Sequence, residues 1–245
     1  MENFWSRYKR NHAAVFGLFV VALIIVMAIT ASFLYPEDPF RLVGKPLSKP
    51  LTNGFLLGSD SLGRDVASGI VHGAKTSLLI GFVATLVSVF IGIFFGAFAG
   101  YFGGLIDDIL MRVTEIFQTI PSFIFAILLV AIMKPSMSSI VIAIAVVSWP
   151  GVARLVRGEF LAVKNREFVQ ACHTLGMSDL RIMLWEILPN ARGPLIVDFC
   201  LRIGYTTILL GTLGFVILLV AVQNPRSVHL SLGLRRGSAL VASCF

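Results

Sequence analysis

Residues 13–35 and 76–101 contain no Asp, Glu, Lys or Arg. A bilayer core about 30 Å thick is crossed by about 20 residues of α-helix rising about 1.5 Å each, and inside it every backbone N–H and C=O must be satisfied within the protein. Uncharged runs of this length therefore read as spanning helices. Three further runs qualify, at residues 116–133, 135–153 and 203–222, with a start of the last as early as Leu195 left open. Lys134-Pro135 alone separates the third from the fourth, which predicts a tight hairpin. With 57% hydrophobic and 13% charged residues, about half the charge of a soluble domain, the chain reads as an all-α polytopic membrane protein with five predicted transmembrane helices.

The first run follows the basic segment SRYKRNH, as in a secretory signal. Its apolar core exceeds the roughly 7–15 residues of such signals, so an uncleaved anchor is expected. Orientation follows the excess of Lys and Arg in cytoplasmic flanks. With the N-terminus inside, Arg7, Lys9, Arg10, Arg112, Arg154, Arg157, Lys164, Arg166, Arg181 and Arg192 face the cytoplasm. The smaller set Arg41, Lys45, Lys49, Arg64, Lys75 and Lys134 lies outside. The net charge of +7 then suits lipid headgroups, and no basic run interleaved with aromatics speaks for nucleic acid. Cys172, Cys200 and Cys244, like His12, His72, His173 and His229, are scattered without ligand spacing, so no metal site is expected.

Several short motifs invite a chemical reading. GIVHGAKT, residues 69–76, lacks the glycine before lysine that lets backbone amides wrap a phosphate, so no nucleotide site is assigned. In GSDSLGRD, residues 58–65, Asp60 or Asp65 reads as a turn or helix-capping residue, with a cation or substrate contact as the alternative. Gly92, Gly96 and Gly100 recur every four residues on one helix face, the pattern that lets a second helix approach closely. A glycine-lined solute path is the competing use. Asp198 and Arg202, four residues apart near the mouth of the fifth run, read as a structural ion pair, against a functional intramembrane charge.

The segment REFVQACHTLGMSDLRIMLWEILPN, residues 166–190, interrupts this apolar chain with two amphipathic patterns. Phe168, Ala171, Cys172 and Leu175 share one helical face; Leu180, Met183, Leu184, Ile187 and Leu188 share another. Gly176 suits the left-handed end of the first helix, Ser178 with Asp179 the start of the second, and Pro189 its stop. Helices of about 10 residues are marginal alone in water, so something must hold them. Acidic Glu167, Asp179 and Glu186 lie among the bases, which favours a protein partner over a headgroup-bound helix pair.

The register Gln170-Ala171-Cys172, Gly176, Glu186, Leu188-Pro189 resembles the cytoplasmic loop of the membrane-spanning permeases of ABC importers, whose pattern is Glu-Ala-Ala, three residues, Gly, nine residues, Ile, one residue, Leu-Pro. Gln170, Cys172 and Glu186 depart from it. LGSDSLGRDVASGIVHGAKTSLLIGF and GMSDLRIMLWEILPN are similar to the dipeptide, oligopeptide and nickel subfamily, with Ser59 in place of its usual Thr. The likeness covers about residues 13–215. It implies a type I ABC importer permease fold, normally of six spans, in a bacterial inner membrane. It further implies a subunit with no ATPase site or cofactor of its own, working with a second permease subunit, two cytoplasmic ABC ATPases that bind the ATP, and an external solute-binding protein. Glu167, Gln170, Ala171, Cys172, Gly176, Asp179, Leu188 and Pro189 would then couple to the ATPase. Substrate-lining residues are not assigned.

The expected organisation is an N-terminal tail 1–12, a first span 13–35, an external loop 36–75, a permease core 76–222 holding a cytoplasmic coupling loop 154–193, and a tail 223–245. After LLGTLGF, residues 209–215, the resemblance stops, and the tail reads as the product of a frameshift or truncation, with a genuine divergent end as the alternative. A stand-alone carrier or channel, or a non-functional truncated permease, are the alternatives. No repeat of the kind carriers show relates the segments before and after residue 120, and no Gly-x-Ser-x-Gly elbow or HExxH speaks for a hydrolase.

Overall fold

The computed structural model describes residues 10–52, 54–133 and 136–223. The expected tail before residue 10, the Lys134-Pro135 turn and the segment from residue 224 on lie outside the described residues. The chain divides into two compact units, one of the described residues up to Leu79 and one from Ile80 on.

In the first unit, helix α1, His12–Leu34, is capped by the Asn11 side chain, which accepts from the Ala14 N–H at 3.3 Å. It is apolar all round, and only Ala28 and Ala31 are buried, as suits a helix solvated by lipid. The loop that follows is ordered by polar side chains acting on backbone. Asp60 Oδ1 accepts from the N–H groups of Leu62 and Arg64, both at 2.8 Å. Ser59 Oγ donates to the Lys45 carbonyl at 2.6 Å and accepts from the Ser48 N–H at 2.9 Å. Asp65 Oδ1 accepts from the Ala67 N–H at 2.9 Å, at the start of helix α2, Val66–Phe102. Asp60 therefore shapes a turn and Asp65 caps a helix. Residues 66–75, expected in the external loop, form the first turns of α2 instead, because the Asp65 cap starts the helix before the uncharged run does. Lys75 Nζ donates to Ser32 Oγ at 2.9 Å.

The second unit holds the rest of α2 and the remaining helices. The expected span 116–133 is not one helix. Helix α3, Gly104–Thr119, and helix α4, Ser122–Ile132, meet at an 82° bend. Pro121 is the reason: its ring disfavours helical geometry in the preceding residue, and Ile120 is extended at φ −88°, ψ 131°. Eleven residues of α4 reach only about 16 Å at about 1.5 Å per residue. Helix α5, Met137–Val163, runs ten residues past the expected end of its span, so residues 154–163 belong to it rather than to the hinged loop. Helix α9, Arg192–Gln223, likewise starts before residue 195. Among the described residues four helices, α1, α2, α5 and α9, are long and apolar enough to cross a membrane, and a fifth crossing arises if α3 and α4 count as one bent span.

α2 and α5 approach closely in this unit. A Cβ added to Gly92, Gly96 or Gly100 would lie under 3.0 Å from Val152, from Ala153 and Val156, or from Arg157 and Phe160. The four-residue glycine spacing thus forms the seam that α5 fills. Trp149 of α5 wedges between Phe95 of α2, ring centroids 4.7 Å apart, and Phe117 of α3, 5.3 Å away. Asp198 and Arg202 of α9 form an ion pair at 2.6 Å, and the same guanidinium donates to the Ser148 carbonyl of α5 at 3.1 Å. That second bond makes it a strut between helices.

Candidate functional site

Lys164 caps the end of α5, and after two residues helix α6, Glu167–Thr174, begins. Its end is a Schellman motif: the Gly176 N–H donates to the His173 carbonyl at 3.0 Å and the Met177 N–H to the Cys172 carbonyl at 3.1 Å. Gly176 takes φ +76°, and a Cβ there would meet nothing within 4 Å. The glycine is needed for its backbone angle alone. The second segment is composite: α7, Asp179–Arg181, then a π-helical turn, Ile182–Ile187, then α8, Leu188–Asn190. The Leu188 N–H reaches back five residues to the Met183 carbonyl, and Pro189, having no N–H, cannot donate to Trp185.

The loop has an inner and an outer face. Val169, Ile182, Met183 and Ile187 are buried in one cluster with Ala97 of α2 and with Val152, Val156, Phe160 and Val163 of α5. For the loop residues Val169, Ile182, Met183 and Ile187, burial stabilises by about 1.5–3 kcal/mol each relative to exposure to water. The faces expected from helical spacing need correction. In α6 the buried residue is Val169, with Phe168 and Cys172 half-buried, while Ala171 and Leu175 are exposed, so the helix is rotated by about one position. In the second segment Met183 and Ile187 are inward as expected, but Leu180 and Leu184 are exposed and Ile182 replaces them. The π turn causes this, since its longer repeat brings Ile182 and Ile187, five apart, onto one side.

The outer face exposes large apolar side chains. Leu175 is 80% exposed and Trp185 74%, with Leu180 and Leu184 also open to solvent. Of the residues singled out for coupling, Glu167, Gln170, Ala171, Gly176, Asp179 and Pro189 are exposed, and Cys172 and Leu188 are half-buried. Asp179 is engaged within the chain: Tyr101 OH, at the end of α2, donates to its Oδ1 at 2.7 Å, and the Tyr101 ring stacks on His173 with centroids 6.3 Å apart. Lys164 Nζ also donates to the Tyr101 carbonyl, at 3.3 Å. Tyr101 was hidden in an uncharged run, and only its place at the end of that run marks it.

A second polar constellation also escaped the sequence. Asp107, buried in the first turn of α3, receives two hydrogen bonds from Arg157 of α5, from Nε to Oδ1 at 2.5 Å and from a terminal nitrogen to Oδ2 at 2.6 Å. With Asp108, Arg112, Glu115 and Arg154 the pair lines an open cleft of about 300 Å³.

The comparisons with known proteins fall on the same segments. Residues 92–228 match the pattern of the binding-protein-dependent transport system inner membrane component, and residues 1–49 match the N-terminal transmembrane domain of oligopeptide transport permease C. Over 221 residues the chain is 35% identical to the dipeptide transport system permease protein DppC of Haemophilus influenzae, covering 88% of this chain and 75% of that one. It is 38% identical over 202 residues to the Bacillus subtilis DppC, covering 82% and 63%. Over 218 residues it is 39% identical to the glutathione transport system permease protein GsiD of Shigella flexneri serotype 5b, covering 87% and 71%. The pattern's match takes in the glycine seam, the hinged loop and α9, and the chain belongs to the family of inner membrane components of binding-protein-dependent transport systems.

Proposed function

We propose that this chain is a membrane-spanning subunit of an ATP-driven importer that carries peptides or a peptide-like solute such as glutathione, and that its hinged loop, on the cytoplasmic side, is the seat of a partner ATPase. The observation that carries the reading is the two-faced loop. Its inner face is fixed in the core of α2 and α5, while its outer face holds Leu175, Leu180, Leu184 and Trp185 in solvent. Exposed apolar groups on a rigid mount are what a protein partner covers, and an interfacial lipid helix would line its polar face with bases. The relatives named for dipeptide and glutathione transport support the solute class. A second permease completes the path, an external binding protein delivers the solute, and ATP binding by the partners favours one of two arrangements of the assembly.

The test is uptake into proteoliposomes by this chain expressed together with its flanking genes, with Leu184→Cys as a docking probe. ATP-dependent uptake of a labelled dipeptide, and an adduct between the Leu184→Cys thiol and a nucleotide-binding subunit bearing a reactive thiol, are the expected results. Uptake at full rate by this chain alone, without any nucleotide-hydrolysing companion, would make it a carrier or channel and end the proposal.

A further inference from the structure

The loop and the inner half of α5 share one core, so a push on the loop moves both as a body. The broken unit α3–α4 has no comparable apolar grip at its start. The buried residues of α3 are Asp107 and Thr114, and the Thr114 hydroxyl donates within its own helix, to the Met111 carbonyl at 2.7 Å. Among the described residues two side-chain pairs link α3 to α5 at its ends: the Asp107–Arg157 fork near its start and the Phe117–Trp149 ring contact near its end. The sequence numbers run in opposite senses, so the two helices lie antiparallel and are pinned at both ends.

The two pins differ in what they transmit. A T-shaped ring contact allows sliding and tilting at small cost. A bidentate guanidinium–carboxylate pair fixes both distance and orientation, and separating it leaves a charge in a site where the carboxylate is 13% exposed. Beyond the 82° bend at Ile120-Pro121, α4 packs against α5 directly, so the start of α3 is the part that depends on the fork to follow α5.

Resting on the importer reading above, we infer that Asp107 and Arg157 are positioning residues that carry the displacement of the hinged loop from α5 to the start of α3. Without the pair, the partner's nucleotide cycle moves the loop and α5 while the start of α3 lags. Hydrolysis then continues and solute movement fails. The neighbouring Asp108 and Arg154 share the cleft, and it is Asp107 that makes the two-pronged contact with Arg157.

The experiment measures ATP hydrolysis and uptake of tritiated dialanine in the same proteoliposomes, for the assembled complex with its flanking-gene partners. Asp107→Asn, which removes the charge that the guanidinium grips, is expected to lower uptake per ATP by about tenfold. Arg157→Lys, which keeps the charge and loses the fork, is expected to fall by about threefold. The double variant Asp107→Asn/Arg157→Gln leaves no unpaired charge, so the thermal midpoint of the purified complex recovers while uptake per ATP stays low. Uptake per ATP at the wild-type value in Asp107→Asn overturns the inference alone. So does joint loss of uptake and hydrolysis in the single variants with joint recovery in the double, which marks a pair that only holds the fold together. Should Asp107→Asn fail to assemble, Arg157→Lys and the double variant carry the same reading. Absence of ATP-driven uptake in the wild type would instead sink the importer reading, and this inference with it.

Discussion

Helices α1 and α5 are both long and apolar enough to cross a membrane, but the protein uses them in opposite ways. In its most apolar window α1 has a mean hydropathy of 2.9 with 6% of residues buried, whereas α5 has 1.9 with 56% buried. The greasier helix is the one that packs less. In lipid, Leu, Val and Phe gain little by moving from acyl chains to another helix, so hydrophobicity decides that a helix inserts and says little about what it touches. Association rests on close approach, ring fit and polar pairs. α5 supplies all three: it fills the glycine seam of α2, places Trp149 against Phe95 and Phe117, and holds Asp107 through Arg157 and Arg202 through the Ser148 carbonyl.

The largest effect is expected where that seam is tightest. Gly96→Leu would drive a side chain into Ala153 and Val156 of α5, and overpacking backbone against backbone costs about 3 kcal/mol or more. The yield of monodisperse protein in detergent and its thermal midpoint should both collapse; a normal midpoint would remove the seam from the comparison. Gly176→Val tests the loop that α5 carries. With φ +76° and open space around the Cβ position, the penalty is purely that of the left-handed backbone, about 1–2 kcal/mol. The protein should reach the membrane in normal amount, with ATP-driven uptake lost because the Schellman end no longer aims the second segment. Retained uptake would refute the hinge. A smaller change is expected for Tyr101→Phe, which deletes the 2.7 Å bond to Asp179 at an exposed site, worth about 1 kcal/mol. Hydrogen exchange at the amides of residues 177–181 should quicken; unchanged exchange would mean that Tyr101 does not hold the loop.

These expectations also mark how far the amino-acid sequence was legible. The spans, the Gly92/Gly96/Gly100 seam, the Asp65 cap and the Gly176 terminus are local features, set by composition, by spacing or by a single backbone angle. Helix ends were misread wherever charged residues continue a helix beyond the apolar run, as in residues 66–75 and 154–163, because a helix satisfies its backbone equally well in water and in lipid. The break at Pro121 was in plain sight within an uncharged run, and counting charges alone passed over it. The loop's faces failed for a different reason. A 3.6-residue period cannot register a π turn, and Pro189 by itself does not announce one. Asp107 and Arg157 are 50 residues apart, so no local pattern joins them.

The smallest effect belongs to α1. Gly17 lies in the second turn of α1, and a Cβ placed there meets nothing within 4 Å, although the same type of residue at position 96 has no room at all. If lipid is the solvent on that face, Gly17→Leu adds apolar surface to an apolar medium and removes a helix-weakening glycine, whose deficit against a good helix former is about 1 kcal/mol in water. The thermal midpoint should then hold or rise slightly, a shift worth no more than about 0.5 kcal/mol, with ATP-driven uptake unchanged. A loss at Gly17 as large as that at Gly96 would mean that α1 is covered by a protein neighbour, and it would replace the contrast between a lipid-solvated helix and a packed one with a contrast between two interfaces.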